Sequence, residues 1–256
     1  MKKLIQCLTL LLLCTFCATA MELKRGGSGE AAKPTRILLT GDSLMAGLGP
    51  HIQREMAGYR NITLIPAGKG STGLSNPDFY NWPKVLRENL RKHRPHIVIM
   101  WIGTNDVATS IYNVPGTEVP CSEPWMKAYF HKLFEIIKIC NDYNARLIFM
   151  SPPVMDRPKW DAKLAKITAL MYRTSKHYRL GYINTRLIFA DSKGRYTHTK
   201  KLPDGSIGTI RTSDHIHITP DGYKLVMDKL LPYMGHAIPE AKRTRSTRKS
   251  GGWWIF

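Results

Sequence analysis

Ser43 follows a short apolar segment in the order Gly41-Asp42-Ser43, and a second apolar segment begins directly after it. A serine hydroxyl is a weak nucleophile unless a neighbouring base removes its proton. Far along the chain, His217 offers an imidazole as that base. Asp214 precedes it by three residues and could bond the imidazole and fix its tautomer. The three side chains would form a catalytic triad for attack on an acyl carbon.

Attack on an ester produces an oxyanion, which needs preorganised hydrogen-bond donors. The sequence offers the backbone N–H of Ser43, the side-chain amide of Asn105 in "GTND", and a glycine N–H in "AGKGSTGLS". The glycines of that loop could equally serve turn geometry, and Asn105 could form an Asx-turn. Both roles can coexist, so these residues are candidate donors.

The segment "SDHIH" at residues 213–217 also has an ordinary interpretation. Its serine and aspartate could cap the helix that follows, and its histidines could be plain surface residues. For an isolated Asp-x-x-His, capping is the favoured interpretation. The presence of Ser43 elsewhere in the chain reverses that preference.

Strand-length apolar segments alternate with helical patterns. The predicted strands are residues 37–40, 62–65, 97–102, 147–150 and 182–184. Helices are predicted after Pro50, over residues 83–93, in the segment ending near Cys140, in the segment from Trp160 to Met171, and from Pro220 onward. Short strands that are apolar on both sides and alternate with helices predict a parallel sheet covered on both faces. The fold class is therefore α/β, a three-layer α/β/α sandwich.

The candidate residues lie in four polar clusters: Gly41-Asp42-Ser43, "AGKGSTGLS", "GTND" and "SDHIH". The first three follow predicted strands, and the fourth precedes the last helix. Ligands of parallel sheets bind beyond the carboxyl ends of the strands, so the clusters should converge on one rim. Residues 196–212 interrupt the alternation with a Pro-Asp-Gly turn between two β-prone arms. They predict a β-hairpin inserted before the last helix. Its position just before Asp214 suggests that it forms one side of the candidate site.

The first twenty residues have the pattern of a secretory signal peptide. Lys2 and Lys3 precede a leucine-rich run, and Ala-Thr-Ala at residues 18–20 is a small-residue cleavage site. The run is too short to span a bilayer. We therefore expect an exported protein, periplasmic or extracellular, with a flexible leader at residues 21–34, a main domain at 35–235 and a basic, disordered tail at 236–256.

The chain is strongly basic, with 38 Lys and Arg against 19 Asp and Glu and a formal net charge of +19. This charge favours acidic partners. The basic tail, which ends in "GGWWIF", could contact an anionic envelope polymer or membrane surface. Nucleic acid is not an expected partner, and a basic surface without a specific partner fits the charge equally well.

Two cysteines, Cys121 and Cys140, lie beyond the predicted signal peptide. One predicted helix occupies most of the segment between them. About nineteen residues at ~1.5 Å rise hold its ends beyond disulfide reach. We therefore expect Cys140 in the core and Cys121 as a loop thiol.

Four blocks in this sequence resemble those of the SGNH (GDSL) hydrolase superfamily. They are "GDSL" at 41–44, the glycine-bearing loop, "GTND" at 103–106 and "DHIH" at 214–217. The longer stretches "GDSLMAGLGP", "GKGSTGLSNPDFYNW" and "SDHIHITPDGY" are similar to a bacterial exported branch known as DUF459, over about residues 36–234. The resemblance implies the SGNH hydrolase (flavodoxin-like) fold and a serine esterase without metal or organic cofactor.

The resemblance also implies roles for individual residues. It makes Ser43 the nucleophile, with Asp214 and His217 completing the triad. Asn105, a second-loop glycine and the N–H of Ser43 would form the oxyanion hole. Gly73 fits the family's separation from the nucleophile better than the alternative, Gly70.

Two acidic residues of the motifs are expected to support the site rather than act in it. Asp42 would order the turn that carries the nucleophile, and Asp106 ends the "GTND" block. The expected substrate is a short-chain O-acyl ester, such as an acetyl ester, of a small molecule or a cell-envelope glycan. An O-acyltransferase acting on a periplasmic glycan is the alternative, because a sugar hydroxyl could replace water.

Three other functions fit parts of the pattern. A metallophosphoesterase also uses Gly-Asp, Asn-Asp and His-x-His at strand ends, but Met45 stands where a second bridging acid would be expected. The same methionine replaces the last glycine of the G-x-S-x-G elbow of ordinary α/β-hydrolases. A non-catalytic glycan-binding module would not require the triad and the oxyanion residues together.

Overall fold

The computed structural model describes residues 34–59 and 61–237, without the side chains of residues 232, 233 and 235–237. The predicted signal peptide and most of the predicted leader and tail lie outside the described residues. Within them, no helix combines the length and the apolar character that crossing a membrane requires.

Five parallel strands form the central sheet. They are β1 (Thr35–Gly41), β2 (Ile62–Gly68), β3 (Ile97–Trp101), β4 (Arg146–Met150) and β5 (Gly181–Ile183). Their order is β2-β1-β3-β4-β5, and every neighbouring pair is parallel. The predicted parallel sheet is thus confirmed. The order reverses between β1 and β3, and such a switch point is where doubly wound sheets bind their ligands.

Helices cover both faces of the sheet. They are α1 (Ser43–Met56), α2 (Trp82–His93), α3 (Glu123–Asp142), α4 (Pro158–His177), α5 (Thr185–Phe189) and α6 (Pro220–Ala237). A 3₁₀ turn spans Asp106–Ala108, and the short strands β6 (Thr199–Lys201) and β7 (Ile207–Thr209) pair antiparallel. The hairpin before the last helix is therefore confirmed, whereas α5 had no counterpart in the sequence prediction.

Alternating side chains of the strands divide the core into two layers. In β1, Ile37 and Leu39 face the layer that contains apolar residues of α1, α5 and α6. Leu38 points the other way, into a layer with α2, α3 and α4. All three β1 side chains are fully buried. This burial on both faces explains why the strands are continuously apolar, and it confirms the three-layer α/β/α sandwich.

Helix α1 begins earlier than the sequence predicted. We expected a helix after Pro50, but the first helical residue is Ser43 and Pro50 lies inside the helix. The side chain of Asp42 accepts the Leu44 N–H at 2.9 Å and so caps the helix. Pro50 lies on the exposed side of the helix. The early start places the nucleophile candidate in the first turn.

Both cysteines of the main domain are free and buried. Cys140 lies in the core as predicted, and burial raises the pKa of its thiol to about 12. Cys121 lies in the loop before α3, as predicted, and its Sγ is 3.7 Å from the carbonyl oxygen of Lys163. Neither thiol is suited to nucleophilic chemistry, because burial disfavours the thiolate.

Candidate active site

The loops after β1, β2 and β3 meet at the carboxyl edge of the sheet. At the end of β1, Gly41 has a φ of +139°. A Cβ at this residue would lie 1.9 Å from the carbonyl oxygen of Trp101 on the neighbouring strand. Only glycine fits this crossing, and the tight turn places Asp42 as the cap of α1 and Ser43 as its first residue at the rim.

The structure brings together the three predicted triad residues. The Oγ of Ser43 lies 3.0 Å from Nε2 of His217, although the residues are 174 positions apart in the chain. On the other side of the ring, Nδ1 of His217 lies 2.6 Å from Oδ2 of Asp214. One nitrogen can therefore take the serine proton while the carboxylate orients the ring through the other.

Asp214 is held in its ionised form by surrounding donors. Its Oδ1 accepts the hydroxyl of Thr212 at 2.5 Å and the backbone N–H groups of Ile216 and His217 at 2.8 and 2.9 Å. Desolvation would raise the pKa of Asp214, but these hydrogen bonds and the one from the imidazole outweigh it and lower the pKa well below its usual range. Sequence reasoning missed Thr212, whose role depends on the fold of this loop.

Arg211 fixes the loop that carries the acid and base. Its guanidinium, fully buried, donates to the carbonyl oxygen of Ile216 at 2.5 Å and to that of Val154, which lies in the loop after β4. It lies 4.9 Å from the ring centroid of Phe189 and 5.4 Å from that of Tyr196. Burial lowers its pKa to about 10, so it stays charged near neutral pH. No sequence pattern indicates this role, since most arginines are exposed.

Two of the predicted oxyanion donors lie at the same edge. As the first residue of α1, Ser43 has a backbone N–H without a carbonyl partner inside the helix. Asn105 precedes the 3₁₀ turn, and its Nδ2 donates to the carbonyl oxygen of Thr72 at 2.9 Å. That bond uses one amide hydrogen and orients the side chain. The second hydrogen is then available to a substrate oxygen.

The glycines of the second loop occupy different surroundings. A Cβ at Gly70 would make ordinary contact with the Cβ of Ser43, at 3.9 Å. At Gly73, the three nearest atoms all belong to the carboxyl group of Asp106, the closest at 2.4 Å. Between them, Ser71 has a φ of +61°, which is unusual for a residue with a side chain. The loop therefore turns sharply beside the nucleophile, a feature that the sequence pattern did not reveal.

Two buried carboxyl groups lie beneath this edge. Asp42 caps α1, and burial raises its pKa to about 7. Asp106 accepts the backbone N–H of Ser75 at 2.7 Å and the hydroxyl of Tyr129 at 2.8 Å, and burial raises its pKa as well. Both are fully buried, so neither can touch a substrate. Asp42 positions the nucleophile's turn, and Asp106 anchors the second loop.

The two histidines of "DHIH" have different partners. His217 lies between Ser43 and Asp214, whereas Nδ1 of His215 lies 2.5 Å from Oδ2 of Asp156. The described part of the chain contains no group of three or more His, Cys, Asp or Glu side chains arranged to hold a metal ion. The His-x-His pattern therefore does not converge on one point here.

The chain and its fold are similar to known proteins. The family model described as "Protein of unknown function (DUF459)" matches residues 36–233. An isoamyl acetate-hydrolyzing esterase of Saccharomyces cerevisiae is 22% identical over a 173-residue alignment, and the match covers 62% of this chain and 66% of the yeast protein. The match thus spans slightly less than two thirds of that relative's length.

Solved structures share the fold at low sequence identity. A GDSL-like lipase from Bacteroides thetaiotaomicron has a TM-score of 0.57 and 16% identity, over 79% of this chain and 89% of the lipase. A catalytic mutant of an acetylxylan esterase from Geobacillus stearothermophilus has a TM-score of 0.54 and 15% identity, over 79% of this chain and 95% of the esterase. These similarities extend across about four fifths of this chain and most of each relative.

Proposed function

This chain belongs to the DUF459 family, within the SGNH (GDSL) hydrolases, and from that premise we propose an exported serine esterase that removes short O-acyl groups through an acyl-enzyme. One observation carries the proposal, the line of hydrogen bonds from Ser43 Oγ through the imidazole of His217 to Asp214. Such an arrangement supplies a nucleophile, its base and the group that orients the base.

The first half of the reaction forms the acyl-enzyme. Nε2 of His217 takes the proton of Ser43 as Oγ bonds to the acyl carbon, and the carbonyl π electrons move onto oxygen. The N–H of Ser43 and the amide of Asn105 hold that oxyanion, each donor contributing about 10²–10³ in rate. When the C–O bond to the alcohol breaks, the imidazolium gives its proton to the leaving oxygen.

Water reverses these steps in the second half. His217 removes a proton from water, the hydroxide bonds to the acyl carbon, and the serine oxygen leaves with the proton from the imidazolium. Asp214 remains ionised throughout, since its hydrogen bonds hold its pKa low. Gly70 lies near the nucleophile, since a Cβ placed on it would be 3.9 Å from the Cβ of Ser43, and this proximity supports Gly70 as the second-loop donor. Gly73, beside the carboxyl group of Asp106, remains the candidate from sequence spacing.

The acetyl ester of an envelope glycan is the substrate class that we favour. The matched yeast protein is described as hydrolysing isoamyl acetate, and a structural relative is an acetylxylan esterase. The signal-like N-terminus supports a location outside the cytoplasm, and the basic tail would suit an anionic envelope polymer or membrane surface. O-acyl transfer to a periplasmic glycan is the second candidate, supported by the exposed triad, where His217 and Asp214 side chains are 44% and 46% accessible.

Intact-mass analysis after brief treatment with p-nitrophenyl acetate tests the mechanism. We expect an added acetyl group on the parent protein and none on Ser43→Ala, with activity unaffected by EDTA. An unchanged rate in Ser43→Ala would refute the proposal, and inactivation by EDTA would favour the metallophosphoesterase. Adding oligosaccharide acceptors to the same reaction separates the two activities, because a transferase yields acetylated sugar and a hydrolase yields acetate.

A further inference from the structure

A second histidine–carboxylate pair lies beside the triad. His215 and Asp156 are joined at 2.5 Å, and their side chains are 50% and 46% exposed. Asp156 lies in the loop between β4 and α4, whereas His215 belongs to the loop that carries Asp214 and His217. The proposed mechanism uses neither residue of this second pair.

His215 is held in an unusual conformation by contacts with two other segments, the loop after β4 and the residues just before β6. Its φ of +63° is rare for a residue with a side chain, and such strain persists only where surrounding contacts impose it. Its ring stacks on that of Tyr196 with an interplanar angle of 6° and a centroid separation of 5.9 Å. The ring of His198 lies 5.7 Å away. Asp156 and the aromatic residues before β6 therefore fix the imidazole at the rim.

The pair forms one side of a pocket of about 150 Å³. Its wall also includes the triad residue Asp214, so the pocket adjoins the reacting centre. Met155 and Ile216 give it apolar surface, and Trp160 lies there with the guanidinium of Arg157 at 5.2 Å from the centroid of its ring. The pocket thus combines hydrogen-bonding groups with apolar and aromatic surface.

These groups restrict the class of ligand. An anionic ligand is disfavoured, because the pocket has two carboxylates, those of Asp156 and Asp214, and one guanidinium, that of Arg157. An aliphatic chain is also disfavoured, because it would remove water from the charged side chains of the pocket without offering them hydrogen bonds. A sugar ring fits both features, since its hydroxyls donate to carboxylates and accept from the guanidinium, and its C–H face packs on apolar side chains.

We propose that this pocket binds the sugar ring of the ester, with His215 and Asp156 bonding its hydroxyls. The inference rests on the proposed esterase function and defines its alcohol as a carbohydrate. His215 and Asp156 select the substrate and take no part in the acyl transfer. They should therefore govern the recognition of sugar esters and leave the hydrolysis of simple aryl esters unchanged.

His215→Asn and Asp156→Asn test this selectivity, because asparagine tolerates a positive φ at residue 215 and preserves the shape of the side chain at residue 156. With acetylated xylo-oligosaccharides, we expect kcat/KM to fall about 10-fold or more, mainly through KM, as loss of charged hydrogen bonds predicts. With p-nitrophenyl acetate, kcat/KM of each variant should stay within about 2-fold of the parent value. His131→Gln, on the exposed side of α3, is the matched control and should change neither. Equal losses on both substrates, or no loss on either, would overturn the inference.

A binding measurement separates this inference from the esterase proposal. Calorimetric titration of Ser43→Ala with unacetylated xylotriose should give saturable binding, weakened about 10-fold or more by His215→Asn. Absence of xylotriose binding to Ser43→Ala overturns the sugar pocket even if the parent hydrolyses aryl esters. Conversely, aryl-ester hydrolysis that survives Ser43→Ala overturns the esterase mechanism even if xylotriose binds.

Discussion

The carboxyl group of Asp106 fills the space that a side chain at Gly73 would need. A Cβ at residue 73 would lie 2.4 Å from Oδ1 and 2.8 Å from Cγ of this buried, hydrogen-bonded group. Asp106 cannot easily yield, because it accepts bonds from the Ser75 N–H and the Tyr129 hydroxyl. Gly73 therefore has a packing role, whether or not its N–H also faces the oxyanion.

Gly73→Ala should destabilise the protein. Forcing a methyl group against Asp106 should cost about 1–3 kcal/mol of unfolding free energy, and it should displace the second loop. Gly70→Ala is the matched variant, because its Cβ would meet Ser43 at an ordinary 3.9 Å. Thermal unfolding should show a lower Tm for Gly73→Ala and little change for Gly70→Ala. Equal Tm values for both variants would contradict this assignment.

Asp214→Asn should reduce turnover while leaving the fold intact. An amide at this position cannot stabilise the imidazolium or hold the same tautomer, so kcat should fall by about 10³–10⁴. KM for a small aryl ester should change little, because Asp214 does not bind the acyl group in the mechanism. Steady-state kinetics with p-nitrophenyl acetate measure both quantities, and a loss confined to KM would argue against a triad.

Asp42 should make the protein less stable as the pH rises from about 4 to 7. Burial raises its pKa from 3.8 to about 7, so the folded protein binds more protons than the unfolded chain in this window. Stability must then decrease with rising pH. Asp42→Asn, which can still accept the Leu44 N–H, should flatten this dependence. The size of the effect is a few kcal/mol, at ~1.4 kcal/mol per pKa unit.

Urea denaturation of the parent and Asp42→Asn at pH 5 and pH 8 measures this difference. The parent should lose more stability than the variant between the two pH values. Asp106, whose pKa is also raised by burial, contributes in the same direction, so the variant should keep part of the pH dependence. Parallel changes in the two proteins would show that Asp42 does not titrate in this range.

The sequence sufficed to predict the sheet because that prediction depends on local patterns. Continuous apolar runs identify strands buried on both faces. The grouping of Ser43 with Asp214 and His217 comes from the short motifs "GDSL" and "DHIH", and the structure places these residues in contact across 174 positions of the chain. The predicted start of α1 is wrong by several residues, because a proline usually marks a helix boundary but Pro50 lies inside this helix, and the cap formed by Asp42 sets its start.

Other parts of the site depend on contacts between distant segments. The bond between His215 and Asp156 spans 59 positions, and Arg211 reaches Val154 across 57. No spacing in the sequence marks such pairs. Likewise, the spacing of the second-loop glycines could not show that a side chain would have room at Gly70, near the nucleophile, but would collide with a buried carboxyl group at Gly73.

Replacing Arg211 should lower both the unfolding free energy of the protein and the order of the loop that carries Asp214 and His217. In Arg211→Met, the carbonyl oxygens of Ile216 and Val154 would lose their donor inside the protein, at a cost of about 1–3 kcal/mol each. The segment with Asp214 and His217 would then be less well fixed, so kcat should fall more than KM rises. Arg173→Met, at an exposed position of α4, is the matched control and should change neither. A variant at residue 211 that loses stability but keeps full kcat would show that Arg211 supports the fold without positioning the acid and base.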